Sequence, residues 1–428
     1  MNISLLITLI AFIFVAVCLL TGRIPGSIAC GTAVVVLWFT HVITEAEAFA
    51  NFVSSSIIVM VCMMIVTAAL MRTDIMPAIA DTVRKAKGGG ITILLAVTMI
   101  VPYILCQFVG GVTSMIIVIP LAMALAKEAG VSPTAMVLPA SVGAQAGLLS
   151  LPIGGGAAMY LLKNQLMAGV GVTEELGFWD LFFVRMPGTA AIFLFILLYG
   201  WKLLPQRGLG QSSMLDGNRN LEKSTLPQWK QNVIYAIFLA TMVLLSICGK
   251  IGLTNTQVSL AAAMIVMLFR LVDEREAYAS VNWPLIFMMS FMLSISTALG
   301  NSGAGEMLAG LLSPVYGSGN MIVAVTVTFI FCAVATQFMD NMTLVNILTP
   351  ICALACVQNG MSALPVVVAI DASCLISFST PLASPSSLLA YQLGGYNMKE
   401  MLKFNLPLIF ISTVVSCVWI PVYISIIH

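Results

Sequence analysis

The chain has 428 residues, 60% of them apolar and only 8% charged, with a net charge of +1 and a mean hydropathy of +1.06. Soluble domains carry roughly 25% charged residues, so water is not the main solvent here, and so small a net charge leaves neither a basic surface for nucleic acid nor an acidic tail. The ten cysteines are scattered through apolar segments without CxxC spacing and the two histidines are His41 and His428, which argues against a disulfide framework or a zinc site.

In chain order, the first apolar run, residues 3–20, has no Lys or Arg before it and is too long for an ordinary signal-peptide core, so it reads as a retained span. Spans at 25–43 and 53–71 follow, then a basic stretch, 72–90, with Arg84, Lys85 and Lys87 lying on the membrane. Residues 90–128 hold two arms of 14–17 residues around a polar centre. Such arms reach only about 21–25 Å as helix, short of a roughly 30 Å hydrocarbon core. They predict a re-entrant helical hairpin, whose tip is tolerated at depth only inside protein or facing a water-filled cavity. An interrupted span at 134–168 and a span at 182–203 complete a first half, 1–204.

Residues 205–230 form a polar linker on the cytoplasmic side. The second half, 231–428, repeats the plan with spans at 232–249, 255–271 and 283–301, a hairpin at 318–358, an interrupted span at 361–394 and a span at 404–426. The expected fold is therefore an all-α polytopic membrane protein with ten transmembrane helices and two re-entrant hairpins. Cys352 and Cys356 share one helical face, where small apolar packing explains them better than metal binding.

With both termini outside and the linker in the cytoplasm, every basic residue of the 18 except Lys163, Arg185 and Lys250 falls inside, as the positive-inside rule expects of a protein in the cell's inner (plasma) membrane. Lys163 and Arg185, near span ends, are read as snorkelling to the outer interface, with an entry funnel for anions as the alternative.

An internal repeat supports the two halves. Gln107-Phe108-Val109-Gly110-Gly111-Val112-Thr113 through Pro120 matches Gln337-Phe338-Met339-Asp340-Asn341-Met342-Thr343 through Pro350, with Gln, Phe, Thr, Ile and Pro coinciding at a constant offset of 230. Both windows fall at hairpin tips. Five crossings per half make the second copy inverted, an arrangement that places a binding site near the bilayer midplane.

After each hairpin the next span is punctuated by Gly, Ser and Pro: Ser141 to Gly156, and Ser373 to Ser387. A continuous helix cannot run through either, and a break leaves bare N–H groups that attract anions and bare carbonyls that attract cations. Asp340, at the second tip, is an acidic residue at membrane depth, which a cation or proton must neutralise. Asp371, also inside a span, ion-pairs or relays protons, or else caps locally.

At these residues the chain resembles the divalent anion:sodium symporter family of the ion transporter superfamily, over almost its whole length. In that family each tip bears a Ser-Asn-Thr motif ten residues ahead of a Pro, and each following span breaks at a Gly/Pro-rich loop. The family's tip positions fall on Gly110, Gly111 and Val112 and on Asp340, Asn341 and Met342, of which only Asn341 keeps the residue type. The resemblance implies a substrate site at Gly110, Gly111, Val112, Thr113, Asn341, Met342, Thr343 and Pro385. It implies cation sites at Thr336, Asp340, Asn341, Ala383, Gly110, Gly111 and Gly143.

It further implies a homodimer in the lipid bilayer with an elevator motion, sodium or proton coupling, a di- or tricarboxylate substrate, and no cofactor beyond the transported cation. Two other readings stand beside it. One keeps the fold with another solute, such as sulfate, arsenite, or sodium against protons; the other is the membrane subunit of a binding-protein-dependent carboxylate transporter. An intramembrane enzyme is disfavoured, because no His lies near the bilayer centre for a Ser-His pair.

Overall fold

The structure is a computed structural model that describes residues 3–21, 24–75, 77–78, 90–109, 111–128, 130–152, 154–204, 224, 226–310, 313–317, 319–337, 341–380 and 383–427. Gly110, Asp340, most of the basic stretch after Asp74, the linker from 205 to 223 and the side chain of Thr343 lie outside the described residues.

All regular structure among the described residues is helical. The first half comprises α1 (Ile3–Thr21), α2 (Gly26–Phe39), the short α3 (Glu45–Phe49), α4 (Ser55–Met71), the hairpin arms α5 (Ile91–Val109) and α6 (Gly111–Glu128), the half-helices α7 (Val137–Gly147) and α8 (Met159–Ala168), and α9 (Asp180–Leu198). The second half comprises α10 (Gln228–Ile247), α11 (Asn255–Leu268), α12 (Glu274–Ala279), α13 (Trp283–Ser302), α14 (Ala304–Gly310), α15 (Ser313–Tyr316), the arms α16 (Met321–Ala335) and α17 (Asn341–Gln358), the half-helices α18 (Leu364–Cys374) and α19 (Pro385–Gly394), and α20 (Met398–Ile427).

Two departures from the sequence reading concern length. Six described helices are long and apolar enough to cross a membrane: five fall among the ten expected spans, and the sixth, α5, is an arm expected to be re-entrant. Helices α2 and α11, expected at 25–43 and 255–271, have 14 residues each. Both stop for local reasons: the Thr40 hydroxyl donates to the carbonyl of Val36 at 2.7 Å, and His41 and Arg270 adopt left-handed φ values of 57° and 49° that end the helical hydrogen bonding. In the hairpins three arms exceed the expected 14–17 residues, with 19 and 18 in α5 and α6 and 18 in α17, while α16 has 15. The helices run into the windows read as tips: α5 carries on through Gln107 to Val109, α6 begins at Gly111 and α17 at Asn341.

Helix ends are set by local chemistry. Thr44 with Glu47 and Thr254 with Gln257 form capping boxes, Asn282 and Asn320 cap α13 and α16, and the Ser384 hydroxyl accepts from the Ser387 N–H to start α19 with Pro385 at its first position.

Packing follows a reciprocal pattern. In the first half both hairpin arms pack on α7, and in the second both pack on α18. The second half-helices are exchanged: α8 packs on arm α17 of the opposite half, and α19 packs on α6 and α7. Around this centre α4 lies against α11, α2 against α13, and α9 against α20. Most buried apolar residues form one continuous core, while a separate cluster joins α1, α2 and α13 through Val15, Leu37 and Ile295.

Candidate functional site

The breaks are held open by two equivalent glutamines. Gln107, in the last turns of α5, donates from Nε2 to the carbonyl of Gly147 and accepts from the N–H of Leu151 at 3.2 Å, bridging the ends of the first break. Gln337, just past α16, donates to the carbonyl of Ile376 at 3.0 Å and accepts from the N–H of Ser379 at 3.0 Å, bridging the second. Each also donates back to the carbonyl four residues earlier, Tyr103 and Ala333. These are groups that an unbroken helix would satisfy internally, and left bare in an apolar interior each costs about 1–3 kcal/mol. Gln107→Ala or Gln337→Ala should therefore destabilise the protein by about 2–4 kcal/mol, seen as a lower melting temperature in detergent. Conservative Glu replacements should restore little, because a carboxylate cannot donate to the break carbonyl.

The two breaks are also tied together. Gln145 on α7 donates to the Ser377 hydroxyl at 2.7 Å and accepts from the Ser386 hydroxyl at 3.0 Å, and Asn341 at the start of α17 donates to the same Ser377 oxygen at 2.9 Å. A Cβ placed on Gly111 would lie 3.6 Å from Ser386. Both tips thus end at the breaks, one from each half.

Between them lies a cavity of about 180 Å³, below the roughly 300–1,000 Å³ of drug-sized sites and suited to a small solute. Gly111, Val112, Asn341, Met342, Ala383 and Pro385 of the residues expected at the site line it. Thr336 does not line it but donates to Asn341 Oδ1 at 2.5 Å, orienting that amide. Gly143 lies behind the wall, its Cα against the carbonyl of Met99, and Thr113 is exposed.

The dominant feature of the lining was misplaced in the sequence reading. Lys163 and Arg185 do not snorkel to an interface: they are 1% and 7% exposed, and both converge on Asp371, which is 2% exposed. The Lys163 ammonium lies 2.5 Å from Asp371 Oδ1 and the Arg185 guanidinium contacts Oδ2. Of the alternatives open for Asp371, the ion pair is the one observed. Because the span at 134–168 is two half-helices, Lys163 sits in the middle of the ten-residue α8 rather than at the far end of a long helix.

Arg185 also caps the first break. Its NH1 donates to the carbonyl of Leu149 at 2.8 Å, and Leu149 itself adopts a left-handed φ of 53°, a strained conformation for a bulky residue. A cation is thereby placed at the carbonyl end of α7. Among the described residues, two cations facing one carboxylate give the lining a formal charge of +1. The Nε of Arg185 is buried without a hydrogen-bond partner, and Lys163 has three donors of which Asp371 takes one. Lys163, which lines the cavity, would offer an entering anion donors that are already desolvated and unspent.

A family model described as "citrate transporter" matches residues 5–371. Among curated proteins, the chain is 26% identical over 228 residues to the uncharacterized transporter YfbS of Escherichia coli, covering 53% of the chain and 37% of that protein. It is 22% identical over 256 residues to an uncharacterized transporter of Methanocaldococcus jannaschii, covering 58% and 57%. It is 24% identical over 194 residues to probable sodium/sulfate cotransporter 3 of Chlamydomonas reinhardtii, covering 43% and 21%. These matches therefore span from about a fifth to somewhat over half of the relatives' own length. Among solved structures, the YdaH transporter of Alcanivorax borkumensis superposes with a TM-score of 0.63 at 15% identity over 98% of both chains. MtrF of Neisseria gonorrhoeae superposes with 0.60 at 13% identity over 90% of this chain and 84% of that one. At such identities the likeness is one of fold.

Proposed function

Because the chain belongs to the citrate transporter family, within the ion transporter superfamily, we propose that this secondary transporter carries di- or tricarboxylate anions by cation-coupled symport. The chain is a membrane transporter and not an enzyme. One observation carries the choice of an anion: among the described residues, a cavity between two interrupted helices is lined by two buried cations and one carboxylate. Burying a net charge is strongly unfavourable unless a counter-charge joins it, and an anionic substrate supplies one.

The cation site is assigned to the tip and break residues, Thr336, Asn341, Ala383 and the glycines of the first tip, with Asp340 as the acidic ligand or proton carrier. Sodium is favoured over the proton there. The hydroxyl of Ser379, 1% exposed and without a hydrogen-bond partner at the second break, supports a hard-cation ligand nearby. The paired glutamine clamps and the exchanged half-helices support two inverted repeats, 1–204 and 231–428, around the linker. The hairpins and interrupted spans then form a unit that moves against α2, α4, α11 and α13 in a homodimer, elevator fashion. Both termini face outward across the inner membrane.

The test is counterflow of labelled citrate and succinate in proteoliposomes, with and without sodium. Saturable exchange of either, competed by the other, is expected. Exchange of sulfate with no carboxylate uptake would overturn the substrate and favour the solute named for the algal relative.

A further inference from the structure

The reaction needs two cations to hold a carboxylate, and it needs nothing that obviously requires Asp371. Yet Asp371 sits on the same two cations, from the opposite half of the chain, at 2% exposure. Lys163 is on α8 and Arg185 on α9, both in the first half; Asp371 is on α18 in the second. No other charged residue among the described ones lines the cavity. Asp180, on α9, is engaged by Tyr423 at 2.9 Å, and Glu174 accepts the N–H of Ala363 at 2.7 Å at the start of α18, so neither is offered to the cation pair.

Charge counting gives Asp371 a role. Without it the cavity would carry +2 and would be neutralised by a bare dianion. With it the described lining carries +1, Asp340 being counted together with the cation or proton assigned to it, and neutrality is reached by a solute whose own charge, summed with any further cation that accompanies it, is −1. A buried site is far more sensitive to this sum than an exposed one, since water does not screen it. We infer that Asp371 is the charge selector of this transporter: by cancelling one of the two substrate-holding cations, it sets the net charge of the accepted solute, with its co-ions, at one negative. This rests on the carboxylate reading and deepens it. A dicarboxylate is then bound well only with one accompanying cation, and a tricarboxylate only with two. Asp371 also keeps Lys163 and Arg185 in place while the site is empty, so their position need not be found anew for each substrate.

The experiment compares a dianion with a monoanion of the same length and shape. Affinities of purified full-length protein for succinate and for its monoamide, succinamate, are measured by ligand-induced thermal stabilisation at a pH where succinate is doubly charged and with sodium absent. The preference for succinate over succinamate should rise by about tenfold or more in Asp371→Asn, the scale of one unit charge a few ångströms away at an effective dielectric near 20. Asp371→Glu, which keeps the charge, should keep the wild-type ratio.

Should Asp371→Asn fail to fold, the double variant Lys163→Met with Asp371→Asn serves, because it returns the cavity to +1 with one cation and no carboxylate. Its ratio should match wild type even though both affinities fall, whereas Lys163→Met with Asp371→Glu, at a net charge of zero, should lower the ratio. A ratio that follows the residue changes rather than the charge, or that stays constant in Asp371→Asn, overturns the selector role alone. Binding of neither compound, nor of citrate, by the wild type in a parallel measurement with sodium present overturns the carboxylate reading and the selector with it.

Discussion

Replacing Lys163 by Ala is expected to abolish carboxylate uptake, with a loss of at least 100-fold, and to lower stability by about 3–5 kcal/mol, the usual consequence of removing one partner from a buried ion pair. The two effects have one origin. Lys163 is almost fully buried and its ammonium bonds Asp371 Oδ1; once the ammonium is gone that oxygen loses its partner in apolar surroundings, and only Oδ2 still faces Arg185. Arg185→Ala should be as severe, because it strips Asp371 of its second partner and also bares the carbonyl of Leu149. The structural component can be separated by pairing: Lys163→Met with Asp371→Asn removes both members, and buried pairs replaced together by neutral side chains are often stability-neutral. That variant leaves Arg185 buried without its carboxylate partner, so it should recover part of the expression and melting temperature, measured by fluorescence-detected size exclusion, and part of the anion binding. Full recovery of uptake would mean that Lys163 serves packing alone.

The second large effect is expected from Gly143→Ala. The added Cβ would lie 2.2 Å from the carbonyl oxygen of Met99 and 2.9 Å from its Cα, and these are backbone atoms of α5 that no rotamer change can move. Gly147→Ala meets the carbonyl of Tyr103 at 2.4 Å and the Cys106 sulfur at 2.5 Å on the same pair of helices. Overpacking commonly costs about 1–3 kcal/mol and more where backbone must shift, so both variants should yield little folded protein. Gly111→Ala is the contrasting case. Its nearest neighbours would be 3.6 Å away, ordinary contact, so the protein should fold normally while the cavity it lines is narrowed and uptake falls. A melting temperature unchanged in Gly143→Ala would show that α5 and α7 are not in backbone contact.

What the sequence made legible, and what it did not, divides along a physical line. The hairpin tips and helix breaks are written in local chemistry, as Gly, Pro and Ser inside apolar runs, and the 230-residue repeat brought Gln107 and Gln337 into register before their matching hydrogen bonds were seen. The charged triad is written nowhere locally. Lys163 and Asp371 stand 208 positions apart, and the interrupted span expected at 134–168 has Lys163 near its outer end and hence at an interface. The break after Gly147 and the tight turn Gly154–Ala158 that follows it start α8 only at Met159 and so make Lys163 the centre of a half-helix. The available signal was the economy of charge itself: ionisable residues inside apolar spans pair with one another, and three of them required partners. Element lengths were misjudged where hydropathy and helical hydrogen bonding end at different residues, as in α5 and α11.

The central claim is that the first hairpin tip and the second interrupted span form one wall of the substrate cavity, which an engineered disulfide tests most directly. A Cβ on Gly111 would stand 3.6 Å from that of Ser386, inside the roughly 3.5–4.5 Å that a disulfide requires, and all native cysteines are buried. In Gly111→Cys with Ser386→Cys, mild oxidation should give an intrachain cross-link, absent from either single variant, that stops carboxylate uptake until it is reduced. A pair of thiols that stays reactive to alkylation after oxidation, with uptake unaffected, would contradict the account.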